Sequence, residues 1–223
     1  MAAPAATSKD VLYKLLIIGH NSVGKTSLMR KYTMGMFEES TRPTIACDFV
    51  LKVMQYHPDA EEVKAGQGPV NVTMQLWDIA GQDHNATLNR NFYQGAYGAC
   101  VVCDIKRIPT YEKAVEWKKS VDKVVLFPGS AETIPCVLLL NKCDLGKSEW
   151  KKDQIDAFCK EHGFAAWFTV SAKDGTNIDK AMEGLVKLVV EKHRSVGPAA
   201  PAKKPAGLVK DPPPAAEKKP CPC

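Results

Sequence analysis

The sequence predicts an α/β fold, a mostly parallel sheet with helices on both faces. Three observations lead there. Apolar runs of strand length alternate along the chain with segments of helical period. Several of those runs are apolar at every position, as strands covered on both faces must be. And 223 residues, 45% apolar and 25% charged, suffice for one ordinary core with length to spare.

The first strand is KLLIIG, Lys14 to Gly19, and a helix follows over Lys25 to Met34. FVLKVM from Phe49 and VTMQLW from Val72 to Trp77 are the next two strands. The polar stretch between them, QYHPDAEEVKAGQGPVN, carries Gly and Pro and reads as a long hairpin connection. GACVVCDI is a further buried strand, and the helix after it shows Ala114, Trp117, Val121, Val124 and Val125 on one stripe. CVLLLN, a helix over Lys151 to His162, and AAWFTV continue the alternation. Ile178, Ala181, Met182, Leu185, Val186 and Val189 line one face of a final helix. In sheets of this kind ligands bind outside the carboxyl ends of the strands, so the loops after the strands are the ones to examine.

Composition excludes several classes. No apolar run approaches the roughly 18 residues that cross a bilayer, and MAAPAATSKD lacks the features of a secretory signal, so a cytosolic folded part is expected. Of the net charge of +5, the segment from Arg194 onward supplies +4. The near-neutral body therefore lacks the basic patch of a nucleic-acid binder. Cys47, Cys100, Cys103, Cys136, Cys143 and Cys159 are scattered through apolar segments and read as small buried hydrophobes. Cys100 and Cys103 form a CxxC, but within a strand they point to opposite faces, which argues against a metal or redox pair. The last 30 residues hold eight of the 15 prolines and almost no large apolar side chains, so a disordered tether is expected there. The predicted organisation is a flexible start over 1–10, one domain over 11–194 and a Pro/Lys/Ala-rich tail over 195–223.

Three loops carry chemistry. The first strand runs into GHNSVGKT, Gly19 to Thr26, a full match to G-x-x-x-x-G-K-[ST]. Asn21, Ser22, Val23 and Gly24 supply consecutive backbone N–H groups to an anion, and Lys25 adds a charge for the outer phosphates. The Thr26 hydroxyl can ligate Mg²⁺, and Ser27 lies in the first turn of a helix whose positive end faces the same anion. After CVLLLN comes NKCD, Asn141 to Asp144, with Lys142 inside it and Leu145 next. The Asp144 carboxylate can accept from the ring N–H and the exocyclic amine of guanine; adenine lacks that donor pair. After AAWFTV comes Ser171-Ala172-Lys173, whose backbone N–H can meet the guanine oxygen. The third strand ends in WDIAGQD, where Asp78 can hold Mg²⁺ through water, Gly81 N–H can sense a γ-phosphate and Gln82 can orient the attacking water. Thr44, in RPTIACDF, can complete the Mg²⁺ shell when that phosphate is present.

Over about Val11 to Arg194 these residues closely resemble the Ras-like small GTPases. The resemblance implies a six-stranded sheet with one antiparallel strand and five flanking helices, and a cycle between GTP and GDP states through two switch loops. It also implies that Phe37 stacks on the guanine, that Lys142 lies against the nucleotide ring, and that Gln82 is the catalytic residue. Within that family TIACDF, WDIAGQD and the terminal C-x-C resemble the Rabs, with Phe49, Trp77 and Phe92 in the places of their aromatic triad. DFVLKV, QLWDIAGQ and FCKEHGFAAWF with SAKDGTNI resemble the Rab thirty-two branch, of lysosome-related organelles. The chain departs from the pattern at Ala46 and Cys47, at Asp83, His84 and Asn85, at Asn21, and in a hairpin connection longer by about ten residues.

The partners so implied are an exchange factor, an activating protein, a GDP-dissociation inhibitor, an escort protein and effectors, around a monomer that binds no nucleic acid. The expected location is the cytoplasmic face of lysosome-related, endosomal or trans-Golgi membranes, with a cytosolic pool. Cys221-Pro222-Cys223 ends the chain, and Pro220 stands where a CaaX box needs cysteine. The resemblance implies geranylgeranyl groups on Cys221 and Cys223, and two lipids give a stable anchor where one does not. Lys218 and Lys219 add attraction to an anionic leaflet. Two rival readings stand beside this one: a P-loop kinase or ATPase using adenine nucleotides, and a degenerate GTPase locked in one state as a scaffold.

Overall fold

Six strands pair into one sheet in a computed structural model that describes residues 9–39, 42–81 and 91–196. In chain order they are β1 (Lys9–Gly19), β2 (Cys47–Tyr56), β3 (Val70–Ile79), β4 (Ala96–Asp104), β5 (Cys136–Asn141) and β6 (Ala166–Thr169). The helices among the described residues are α1 (Lys25–Met34), α2 (Ala60–Lys64), α3 (Pro109–Asp122), α4 (Lys152–His162) and α5 (Ile178–Val196). The spatial order is β2-β3-β1-β4-β5-β6, with β2 antiparallel to β3 and every other pair parallel. Parallel strands need covered crossovers, so the central strands carry unbroken buried apolar runs: Leu15–Ile18 in β1, Ala99–Cys103 in β4 and Cys136–Leu140 in β5. β2 is an edge and alternates instead: Phe49, Leu51 and Val53 are exposed, while Val50 and Met54 pack on the core.

The two cysteines of the CxxC confirm that both faces are covered. Cys100 Sγ lies 3.8 Å from Met182 Sδ of α5, whereas Cys103 is buried near Cys159 of α4. Both are free thiols held well above the ordinary range by burial. Ile178, Ala181, Met182, Leu185, Val186 and Val189 of α5 are all buried, as their spacing predicted. Full burial of each larger aliphatic chain favours docking by about 1.5–3 kcal/mol, so packing holds α5 to the sheet.

The boundaries differ from expectation in instructive places. β1 starts at Lys9 because its first residues pair with β3 from Val70 onward, although KDVLY is no apolar run. α3 ends at Asp122, which leaves Val124 and Val125 beyond the helix, with Val125 still buried. The hairpin connection is not merely a loop: it contains α2. Asp59 Oδ1 accepts from the N–H groups of Glu61 and Glu62 (3.0 Å each), and Glu62 Oε2 accepts from Asp59 N–H (2.9 Å). That reciprocal cap starts a helix even in a polar segment.

α2 is then strapped to α5. Arg194 Nη1 meets Glu62 Oε1 at 2.6 Å, Lys187 Nζ meets Asp59 Oδ2 at 2.7 Å, and Tyr56 OH donates to Glu62 Oε2 at 2.6 Å. Among the described residues no helix is long and apolar enough to cross a membrane. The expected flexible start and tail lie outside the described residues, except that Lys9 and Asp10 belong to β1 and Ser195 and Val196 to α5.

Candidate nucleotide site

A cavity of about 630 Å³ opens at the carboxyl ends of the strands. The loop between β1 and α1 forms its floor. Three successive carbonyls of that loop each accept from a side-chain nitrogen: Asn21 from Arg107 Nη2 (3.2 Å), Ser22 from Lys142 Nζ (2.9 Å) and Val23 from Asn141 Nδ2 (2.8 Å). A trans peptide points its N–H opposite to its C=O, so the N–H groups of Ser22, Val23 and Gly24 are turned away from those donors. Ser22 (φ 58°) and Gly24 (φ 91°) are left-handed, which is how successive amides converge on one anion. At Gly24 a Cβ would sit 2.5 Å from Asn141 Nδ2, so only glycine fits beneath that side chain.

The deepest corner gathers side chains from three separate elements. Thr26 Oγ1 of α1 donates to Asp78 Oδ2 of β3 at 2.5 Å, Thr44 Oγ1 donates to the same oxygen at 3.3 Å, and the two hydroxyls are 2.8 Å apart. Asp78 Oδ1 is buried and has no hydrogen-bond partner among the described residues. Burial pushes the Asp78 carboxyl above its usual range, against the opposing pull of Thr26 and Lys25. Burial likewise pulls the Lys25 ammonium down to about 8, and its Nζ donates to His20 O at 2.9 Å. A bare carboxylate oxygen beside two hydroxyls is a hard-oxygen donor set that suits Mg²⁺. Gly81 backs onto this corner so closely that a Cβ there would lie 2.6 Å from Asn21 N and from Lys25 Nζ.

The other end of the cavity is built from the loops after β5 and β6. Asn141 is fully buried and bridges them, accepting from Ala172 N–H at 3.0 Å while its amide holds Val23. Ser171 Oγ donates to Asp144 Oδ1 at 2.7 Å, fixing the carboxylate at the cavity wall. The Ser171 hydroxyl itself accepts from the N–H groups of Lys173 and Asp174 (3.2 Å each), which folds the loop into a tight turn. Lys142 (φ 71°) is also left-handed. Phe37, Asp144, Leu145 and Lys173 all line the cavity.

Most of the expected site residues thus meet around one space. Asn21, Ser22, Gly24, Lys25, Thr26, Ser27, Phe37, Thr44, Gly81, Asn141, Lys142, Asp144, Leu145, Ala172 and Lys173 line it. Val23 and Ser171 do not: Val23 is buried in the core and Ser171 acts behind Asp144. Asp78 touches the site through the two threonines. Gln82, Cys221 and Cys223 lie outside the described residues.

Four wall residues, Glu38, Glu39, Arg42 and Pro43, were not anticipated, although the last two fall in RPTIACDF. Nor were Asp104 and Arg107 anticipated. The β4–β5 register sets Asp104 opposite Asn141, and only that pairing brings Asp104 to the loop after β5.

A second surface lies beside the cavity. Phe49 and Trp77 pack with ring centroids 5.4 Å apart, and Trp77 and Phe92 at 6.4 Å. Lys14 Nζ sits 4.0 Å above the Trp77 ring, and Phe49 remains 44% exposed, so the patch is ordered yet open.

Comparison with known proteins finds relatives over most of the chain. The Ras family model matches residues 14–191. Ras-related protein Rab-32 of Homo sapiens is 44% identical over 195 residues, covering 87% of this chain and 82% of that protein. Rab-32A of Dictyostelium discoideum is 38% identical, covering 82% of this chain and 80% of its own length. Rab-7L1 of Rattus norvegicus is 37% identical, covering 84% of this chain and 86% of its own.

Proposed function

This chain belongs to the Ras family, with Rab proteins among its relatives, and from that premise we propose that it is a membrane-tethered switch set by GTP and reset by slow hydrolysis to GDP. At the level of the family it is a small GTPase. The observation that carries the finer reading is the meeting of Thr26, Thr44 and Asp78, which joins the phosphate loop, the segment before β2 and the end of β3 at one point. A ligand that recruits Thr44 there orders the segment that bears it, and loss of the terminal phosphate releases that segment.

In this reading the loop amides and Lys25 hold the phosphates, and Phe37, Lys142 and Asp144 hold a guanine base, with Leu145, Ala172 and Lys173 around it. Thr26 and Thr44, with Asp78 through water, would hold Mg²⁺, which when bound neutralises phosphate charge. Gln82, the residue after Gly81, orients the attacking water. Desolvation of Lys25 is relieved by a phosphate's negative charge, so binding and the ionisation of this lysine support each other. The unaided rate is on the order of 10⁻⁴ s⁻¹ and an activating protein raises it.

Effectors read the state of the switch at the Phe49–Trp77–Phe92 patch. Exchange factors, a GDP-dissociation inhibitor and an escort protein complete the set of partners. Cys221 and Cys223 carry geranylgeranyl groups that hold the chain to the cytoplasmic face of lysosome-related or other endomembranes, leaving a cytosolic pool.

The test is a comparison of the GDP-loaded and GTP-analogue-loaded protein. Partners recovered only with the analogue, and single-turnover GTP cleavage accelerated by an activating protein, are the expected result. Identical partners in both states, or ATP competing equally with GTP, would overturn the reading. Replacing both Cys221 and Cys223 with Ser is expected to move the protein to the soluble fraction with nucleotide binding intact.

A further inference from the structure

We propose that Asp104 is a positioning residue for phosphate binding, acting by holding Lys142 and Arg107 against the phosphate loop. The inference rests on the reading of the cavity as a guanine-nucleotide site and adds to it a residue that does not touch the ligand.

Asp104 ends β4, and its side chain is only 5% exposed. The turn that follows locks it. Asp104 N–H donates to Thr110 Oγ1 (3.0 Å), that hydroxyl donates to Arg107 O (2.6 Å), and Arg107 N–H returns to Asp104 O (3.0 Å). Of the carboxylate oxygens, Oδ1 accepts from Lys106 N–H at 3.0 Å. Oδ2 takes both cations, Lys142 Nζ at 2.8 Å and Arg107 Nε at 3.3 Å.

Each cation then has a second task. Lys142 Nζ donates to Ser22 O and Arg107 Nη2 to Asn21 O, two consecutive carbonyls of the phosphate loop. One buried negative charge thereby fixes the direction of two adjacent peptides, whose N–H groups belong to Ser22 and Val23.

Two observations favour positioning over simple stabilisation. Arg107 is 45% exposed and Lys142 33% exposed, and ion pairs so close to solvent add little to stability. The two cations also share one carboxylate oxygen, an arrangement that like-charge repulsion would undo if the carboxylate were neutral. Without Asp104, Lys142 and Arg107 separate, and the carbonyls of Asn21 and Ser22 lose defined partners. The loop amides then lose the preorganisation that phosphate binding exploits.

The test uses the full chain with Asp104→Asn, which keeps the side-chain shape and an acceptor for Lys106 N–H while removing the charge. GDP is expected to dissociate about tenfold faster or more, the scale of a lost charge-assisted hydrogen bond. GMP lacks the phosphate deepest in the loop, so its affinity should change much less and the GDP-to-GMP affinity ratio should fall about tenfold. Arg107→Gln, on the surface and harmless to folding, should speed GDP release roughly threefold, and the double variant should be no worse than Asp104→Asn alone.

GDP release within twofold of the unmodified chain overturns the proposal, as does equal weakening of GDP and GMP, or effects that simply multiply. An unmodified chain that retains no guanine nucleotide overturns instead the functional reading beneath it.

Discussion

At the amino ends of β1 and β3 the polar groups are matched. Asp59 caps α2 and pairs with Lys187, while Glu62 takes Tyr56, Arg194 and the Asp59 N–H. At the carboxyl ends the opposite holds. Asp78 keeps a buried oxygen without a partner, Lys25 is buried as a destabilised cation, and Asp144 presents its carboxylate to a cavity. The four non-glycine residues of positive φ among the described residues, Ser22, Ala46, Lys142 and Asn177, all belong to loops at this second pole. In these two clusters the satisfied polar groups serve the fold, while the unsatisfied ones, with strained backbone beside them, surround the cavity.

The largest effect that would sharpen this contrast is expected at Asp144. Asp144→Asn should lower GTP affinity about 100-fold or more and shift preference toward xanthine nucleotides, in a competition assay, because it exchanges an acceptor for a donor. Stability without nucleotide should hardly change. The strap at the other pole should behave in reverse. Arg194→Ala removes the paired cation from Glu62, which is only 14% exposed, and should cost about 1–2 kcal/mol in denaturant unfolding. Its GDP dissociation rate should stay that of the unmodified chain, and a marked change would break the separation of the poles.

A smaller effect is expected at Ala46, where the chain departs from the Rab pattern and adopts φ 60°. A left-handed alanine costs about 1–2 kcal/mol, and the greater freedom of an unfolded glycine offsets part of it. Ala46→Gly should therefore stabilise by about 0.5–1 kcal/mol. The smallest effect concerns His193 in α5, whose Nδ1 lies 2.7 Å from Tyr13 OH. Burial holds this imidazole below its ordinary range, so the unfolded chain takes up the proton first. The corresponding stability is present above about pH 6.5 and is lost as pH falls through the lower folded value. Melting temperatures from pH 7.5 to 5.5 should fall slightly more steeply for the unmodified chain than for His193→Gln.

How much of this could be read beforehand depended on distance along the chain. The phosphate loop is contiguous, so Gly24, Lys25 and Thr26 were legible from spacing alone, and Asp144 and Ser171 likewise from short motifs at strand ends. The capping box of α2 was also present in the letters, as Asp59 and Glu62, but surrounding Gly and Pro obscured it. Asp104 was illegible. Its importance comes from strand register, which periodicity does not supply, and its partners lie in two other loops. Val23 and Ser171 show the converse limit, since membership of a motif does not say which side chain faces the cavity and which braces the wall.

The strap between α2 and α5 has one more consequence. By gripping Arg194 it fixes the last turn of α5 beside α2, at the pole away from the cavity. An anchor at the end of the chain, as we propose, would therefore pull on the pole opposite the loops that line the cavity.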